Sequence, residues 1–255
     1  MIHETAIVSK KAKIGKNVKA GPFAIIDGNT VIGDGCKIGP RVHILDGARI
    51  GKNNYIGEGT LIGNVAQDVK FKGGESFVKI GKNNVIREYV TINRGNRKGG
   101  ETVVGDNNFI MTMAHIAHDC SIGSNITIVN WAGITGHVEV GDFAFVSGLS
   151  AIHQNVRIGT YSMVGGGIKL TKDVMPYTMV SDNPARLGGL NIVGLRRRGF
   201  SREKIALLKE AYSIFFREKR TVNEAVKEIK ARLEQTEEVR NFIDFAESSK
   251  RGIVR

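Results

Sequence analysis

From Ile2 to Leu170 nearly every sixth residue is aliphatic, and this regularity restricts the fold more than any other feature. The series runs Val8, Ile14, Ala20, Ile26, Ile32, Ile38, Ile44, Ile50, Ile56 and Ile62. It resumes in phase at Ile80, Ile86 and Ile92, then continues from Val104 through Ile134 to Leu170. The following residue is often glycine, as at Gly15, Gly33, Gly51, Gly81, Gly105, Gly123, Gly141 and Gly159. Four places after the aliphatic stands a small or compact residue, such as Ala24, Cys36, Ala48, Ala114, Cys120, Ala132 or Ala144. A short strand that turns sharply every six residues accounts for all three positions. The aliphatic points inward, the glycine permits the turn and the small residue fits a crowded interior. Repetition of this kind builds a stacked solenoid.

Three flat strands then make one coil of 18 residues, and residues 2–170 make about nine to ten coils, a prism roughly 45 Å tall at the usual strand spacing. The in-phase positions that fail, Asp68, Gly74 and Lys98, fall in two polar, basic stretches, 63–79 and 93–102. These read as loops thrust out of the prism, the usual place for binding on a rigid solenoid.

The pattern changes near residue 190. Of 32 glycines only Gly194, Gly199 and Gly252 lie beyond it. Ser201 is placed to cap a helix with an Ile205, Leu208, Tyr212, Phe215, Phe216 stripe. Thr221 with Glu224 forms a capping box ahead of Val222, Val226, Ile229 and Leu233. Thr236 precedes a third stripe of Val239, Phe242, Ile243 and Ala246. The chain thus divides into a β domain, 1–190, and a small helical domain, 191–255, whose three helices cover one end of the prism.

No apolar run approaches the roughly 18 residues of a membrane span. The N-terminal Met-Ile-His-Glu-Thr lacks the basic-then-apolar build of a secretory signal. Cys36 and Cys120 fall at the small interior position and read as core, so a reducing cytoplasm is the expected compartment. The net charge of +12 points to an anionic partner or ligand. Nucleic acid is set aside, because the cluster Arg196, Arg197 and Arg198 has no interleaved aromatics.

Four of the six histidines, His115, His118, His137 and His153, lie within 39 residues. Positions 18 apart stack on adjacent coils, so His118, Gly136 and Gln154 form one column, flanked by His137 and His153. Polar side chains must point out of such a prism, and any one of these residues alone reads as a solvated turn. The cluster supports two kinds of chemistry. In one, His118 is a general base oriented by Asp119, with the Gly136 amide donating to an oxyanion. In the other, three histidines hold zinc, as in carbonic anhydrases built on this repeat.

The segments Ala114-His-Ile-Ala-His-Asp-Cys120, Val65-Ala-Gln-Asp-Val-Lys70, Ala132-Gly-Ile-Thr-Gly-His-Val138 and Ala151-Ile-His-Gln154 carry a resemblance to a known family. So do Asn191-Ile-Val-Gly-Leu-Arg-Arg-Arg-Gly-Phe-Ser201 and Arg251-Gly-Ile-Val-Arg255. The whole chain resembles the UDP-N-acetylglucosamine O-acyltransferases of lipid A synthesis, a branch of the hexapeptide-repeat acyltransferases. The resemblance implies a left-handed parallel β-helix, a homotrimer with active sites between neighbouring prisms, and no cofactor or metal. It implies (R)-3-hydroxyacyl-acyl carrier protein as donor and UDP-N-acetylglucosamine as acceptor. The alternative acceptor is the 3-amino analogue of the sugar, which would form an amide.

By position, His118 corresponds to the base, Asp119 to its partner and Gly136 to the oxyanion amide. Asp68, Lys70, His115, His137 and Gln154 correspond to sugar and phosphate contacts, and His153 to a wall of the acyl and sugar site. Asn191, Arg197 and Arg198 correspond to nucleotide contacts, and Gly166 to the position that limits acyl length. Three residues depart from the family pattern. Asn93 stands where histidine is frequent, Val193 where glutamate is frequent, and Asn155 where an aromatic residue is common.

Overall fold

The computed structural model describes residues 1–255. Three sheets, of nine, eight and ten strands and parallel except for the last strand of the third, enclose a triangular prism. Most strands have two residues, an outward one followed by the buried aliphatic. The chain visits the first sheet, the second, then the third, and returns one coil higher. Partners therefore lie 18 residues apart, as Ile7 does from Ile25 and Gly133 from Ala151. The nine strands of the first sheet agree with the expected number of coils.

The interior follows the repeat. Ile44, Ile62, Ile92, Ile116 and Ile134 are fully buried, as are Ala24, Cys36, Ala48, Ala114 and Ala132 four places after an aliphatic. The same interior position also takes Asn54, Asn84 and Asn108. Their amides form a ladder. Asn84 N–H donates to Asn54 Oδ1 at 2.8 Å, and Asn108 N–H donates to Asn84 Oδ1 at 2.8 Å. Each side-chain amide donates onward to a glycine carbonyl, Asn84 to Gly105 and Asn108 to Gly123.

The glycine after the aliphatic has a different reason from the expected one. None of the eight adopts positive φ. The left-handed turn is made two residues later, by Asn17, Asn53, Asn83, Asn107 and Asn125, and at the next two coils by Phe143 and Tyr161. The glycines are needed because backbones of successive coils meet there. A Cβ on Gly33 would lie 2.7 Å from the Gly51 carbonyl carbon, and one on Gly15 would lie 2.6 Å from the Asp34 nitrogen. Close approach excludes a side chain at these positions, and turn geometry does not.

Both excursions are shorter than expected. Strands Leu61–Asn64 and Phe77–Ile80 leave 65–76 outside the ladder, and strands Thr91–Asn93 and Glu101–Val104 leave 94–100. Flanking residues stay paired, Phe77 with Glu101 in register and Asn64 with Asn93 past a one-residue bulge after Ile62, because the sheet continues to satisfy their backbone groups. The two loops are joined to each other. Gly99 N–H donates to Glu75 O at 2.8 Å, and the buried Asn93 amide donates to Val65 O.

After an antiparallel hairpin, Thr178–Ser181 with Arg186–Leu190, the chain turns helical. Helices α2 (Arg202–Tyr212), α3 (Val222–Arg232) and α4 (Glu237–Ser248) start at Ser201, Thr221 and Thr236, and the Thr221–Glu224 capping box forms. A fourth helix, α1 (Ile192–Arg197), precedes them and is capped by Asn191. Its six residues are too few to show an apolar stripe, so the repeat analysis misses it. The helices share a core of their own with Met175, Tyr177 and Leu190. The tail then returns to the prism, where Val254 N–H donates to Asp173 O at 3.0 Å and the Val254 side chain joins the prism core. No helix is long and apolar enough to cross a membrane.

Candidate active site

His118 and Asp119 sit on the corner between the first and second sheets, fixed by buried Ala114, Ile116 and Cys120 on either side. Asp119 takes the left-handed conformation, φ 57°. This turns its carboxylate back on the preceding ring, and His118 Nδ1 lies 2.8 Å from Asp119 Oδ2. An ionised carboxylate only accepts, so Nδ1 is the donor to Asp119, and in the neutral ring Nε2 is the nitrogen with the free lone pair.

Contrary to the outward, solvated placement expected of a corner residue, His118 is only 7% exposed. The coil above explains this. A Cβ on Gly136 would lie 2.6 Å from His118 Cε1 and 2.7 Å from Nε2, so the imidazole occupies the space a side chain would take. The His137 ring packs edge-on at 5.2 Å, and its Nε2 lies 3.8 Å from Asp119 Oδ2. The column of His118, Gly136 and Gln154 is continuous: His137 N–H donates to His118 O, and Asn155 N–H to Gly136 O, both at 3.1 Å. The Gly136 N–H donates to no group of the chain. It is available to an anionic oxygen beside Nε2.

The two loops reach the same corner. Asp68 Oδ1 accepts from Lys70 N–H at 2.9 Å, and this bond, above all, holds the carboxyl below the usual carboxylate range. Asp68 Oδ2 accepts from Asn96 Nδ2 at 2.7 Å, and Asn96 N–H donates to Asp119 Oδ2 at 3.0 Å. Sequence reasoning missed Asn96, since a polar residue in a polar loop carries no local signal. Lys70 itself is exposed.

His115 faces outward from the first sheet, half-buried, with Nδ1 2.7 Å from Thr91 Oγ1. Burial, and then the neighbouring His118, push its pKa down. His153 and Gln154 are exposed two coils above, where His153 Nδ1 lies 3.2 Å from the Gln154 carbonyl. Gly166 is exposed at the corner between the third and first sheets, where a Cβ would lie 3.3 Å from Gly148 O.

Asn191, Arg197 and Arg198 are not beside His118 within one chain. They line a cavity over the third sheet with Phe145, Met163 and Met179. The Asn191 side chain is engaged twice within the fold. Its Oδ1 accepts from Gly194 N–H at 3.1 Å to cap α1, and its Nδ2 donates to Tyr161 O at 2.9 Å. The Arg198 guanidinium lies over the Phe143 ring at 5.0 Å, and Phe143 stacks on Tyr161 at 4.6 Å.

The group best placed to hold a metal is His118, Asp119 and His137, whose ligand atoms lie within 4.8 Å of one another. This is two imidazoles and a carboxylate. The zinc alternative drew on three histidines, and neither His115 nor His153 joins the group.

Fold and site together define a transferase of the hexapeptide-repeat class. Residues 11–42, 29–64 and 101–136 match the bacterial transferase hexapeptide family, and residues 173–254 match the second domain of UDP-N-acetylglucosamine O-acyltransferase. The chain is 51% identical to the acyl-[acyl-carrier-protein]–UDP-N-acetylglucosamine O-acyltransferase of Thermodesulfovibrio yellowstonii, covering 100% of this chain and 99% of that one. It is 54% identical to the protein of the same name from Sulfurihydrogenibium sp., covering 99% and 93%. A crystal structure of a UDP-N-acetylglucosamine acyltransferase from Bacteroides fragilis superposes with a TM-score of 0.98 at 43% identity, covering 100% of both chains. The chain belongs to the UDP-N-acetylglucosamine O-acyltransferase family, and its β-helix is left-handed.

Proposed function

We propose that this acyltransferase moves an (R)-3-hydroxyacyl group from acyl carrier protein to the glucosamine 3-hydroxyl of UDP-N-acetylglucosamine, the first step of lipid A biosynthesis. The observation that carries the reading is the buried His118, oriented through Nδ1 by Asp119 and resting on Gly136. A sugar hydroxyl is a poor nucleophile at neutral pH. His118 Nε2 takes its proton as the oxygen attacks the thioester carbonyl, and the Gly136 N–H donates to the oxyanion that forms. The tetrahedral intermediate collapses, the carbon–sulfur bond breaks, and the proton on Nε2 passes to the departing thiolate. Proton and electron pairs balance without a cofactor.

Asp68, Lys70, His115, His137 and Gln154 bind the sugar and phosphates in this reading. His153 walls the acyl and sugar site, and Gly166 bounds the acyl chain. Asn191, Arg197 and Arg198 bind the nucleotide from a second copy of the chain. Two features support a shared site and a homotrimer. The base and the arginines lie on different faces of one prism. The corner between the third and first sheets also carries an exposed column of Tyr89, Met113, Trp131 and Leu149, an apolar ridge suited to contact between prisms. A cytoplasmic location follows from the donor, acyl carrier protein.

The test is an acyl-transfer assay of the purified protein, crossing thioesters of several chain lengths with UDP-N-acetylglucosamine and its 3-amino analogue. Ester formation with the first sugar, reduced at least ~100-fold in His118→Ala, is expected. Transfer to neither sugar, or full turnover without His118, overturns the reading.

A further inference from the structure

We infer that Asn96 is a positioning residue, tying the Asp68 carboxylate to the Asp119–His118 pair so that the sugar-binding loop and the base are held as one unit. The inference rests on the proposed function for the roles of Asp68 and His118. Its geometry stands independently.

The segment 94–100 leaves the prism at the same corner as His118, one coil below, since Thr91 pairs with His115. Its neck is closed by two glycines. A Cβ on Gly95 would lie 2.2 Å from the Gly100 carbonyl carbon, and one on Gly100 would lie 3.0 Å from Asp119 Oδ1. The loop therefore lies directly on the Asp119 carboxylate. Asn96 is its point of contact on both sides. The backbone N–H donates to Asp119 Oδ2, the oxygen that also accepts from His118 Nδ1. The side-chain NH2 donates to Asp68 Oδ2 in the other loop. Apart from the backbone of Lys70, Asn96 is the only residue that donates to the Asp68 carboxylate.

The amide has no freedom to turn over. Reversing it would set Oδ1 against a carboxylate oxygen 2.7 Å away, acceptor against acceptor. In the orientation it keeps, Oδ1 is buried with no partner, one of three such side-chain atoms in the chain. An unpaired buried acceptor is destabilising. The residue is held there by its two donors, and both donors serve carboxylates of the site. Anchoring Asp68 thus fixes the position of the amide that orients Asp119, and through Asp119 the proton on His118.

Asn96→Ala removes the side-chain link and leaves the peptide N–H on a loop no longer anchored to Asp68. We expect kcat to fall about tenfold, less than the ~100-fold that a full misplacement of about 1 Å can cost. The dissociation constant for UDP-N-acetylglucosamine alone, measured by calorimetry, should change less than threefold. In an Asp119→Asn background the same substitution should cost less than twofold, because its route to the base is already lost. A second variant, Asn96→Asp, sets like charges together and should lower kcat similarly. Thermal melting of every variant reports folding. Wild-type kcat in Asn96→Ala or in Asn96→Asp, or an equal loss from Asn96→Ala in both Asp119 backgrounds, overturns the inference. If the wild-type protein transfers no acyl group, the proposed function fails instead, and the two failures are distinct.

Discussion

The His118 imidazole occupies the space that a side chain on Gly136 would need: a Cβ there would lie 2.6 Å from its Cε1 and 2.7 Å from its Nε2. Gly136 has negative φ, so its backbone would accept alanine and only the ring excludes it. Gly136→Ala should push the imidazole from its contact with Asp119 and leave the prism intact. We expect kcat to fall at least ~100-fold, as for loss of the base, with little change in melting temperature. A variant with normal turnover would mean that the ring can shift without leaving the reactive position.

Which histidine titrates with folding is a separate matter. The pKa of His115 is lowered mainly by burial, with His118 adding to the effect. Below the ordinary imidazole value, about 6.5, the unfolded chain takes up a proton at this residue that the folded chain resists. Stability is therefore unaffected above that value and falls as the pH drops from it toward the folded pKa. Between pH 7.5 and 5.5 the wild type should lose more stability in urea titrations than His115→Gln does. Equal losses would mean that burial does not set the state of this ring.

The interior amide ladder bears on stability alone. Asn84 accepts from Asn108 N–H and donates to Gly105 O, with no exposure to water. Asn84→Ala leaves a buried donor and a buried acceptor unpaired, at a cost of roughly 2–4 kcal/mol. The urea midpoint should fall accordingly while the specific activity of folded protein holds. A change of less than 0.5 kcal/mol would show that water or a backbone shift replaces the amide.

These residues mark how far the sequence could be read. The aliphatic positions were legible because the inward site of every coil makes one demand, a branched hydrocarbon, whatever its neighbours. The site four residues later makes a looser demand for compactness, which alanine, cysteine and asparagine all meet, so the ladder of Asn54, Asn84 and Asn108 was invisible. Spacing by 18 predicted the column of His118, Gly136 and Gln154, because it is a property of the coil. It could not predict the burial of His118, which depends on the ring settling over a glycine one coil up. Nor could it place Asn96, because the path of a seven-residue excursion is set by contacts to another loop distant in sequence.

Removal of metal separates the two chemistries of the histidine cluster. Asp119 Oδ2 lies 2.8 Å from His118 Nδ1 and 3.8 Å from His137 Nε2, so one carboxylate faces both rings. If Asp119 orients a base, exhaustive dialysis against a chelator should leave acyl transfer unchanged. Stoichiometric zinc by mass spectrometry, with activity lost on its removal and regained on its return, would assign the same three groups to a metal.

A site divided between two copies makes a prediction that a site within one chain cannot. His118 lies on the corner between the first and second sheets, whereas Arg197 and Arg198 lie over the third. His118→Ala should abolish turnover by removing the base, and Arg197→Ala with Arg198→Ala should abolish it by removing the cations proposed to hold the nucleotide phosphates. Each preparation alone would be inactive. Mixed, dissociated and reassembled, they should regain activity, because some sites then pair an intact His118 from one chain with intact arginines from another. With equal amounts and random assortment in a trimer, about one site in four is intact, so activity should approach a quarter of the wild-type level. The recovered activity should appear only after subunits exchange, and it should migrate with the trimer on gel filtration. Reassembled mixtures that remain inactive, while each variant is folded and trimeric, would show that the base and the arginines of one site belong to the same chain.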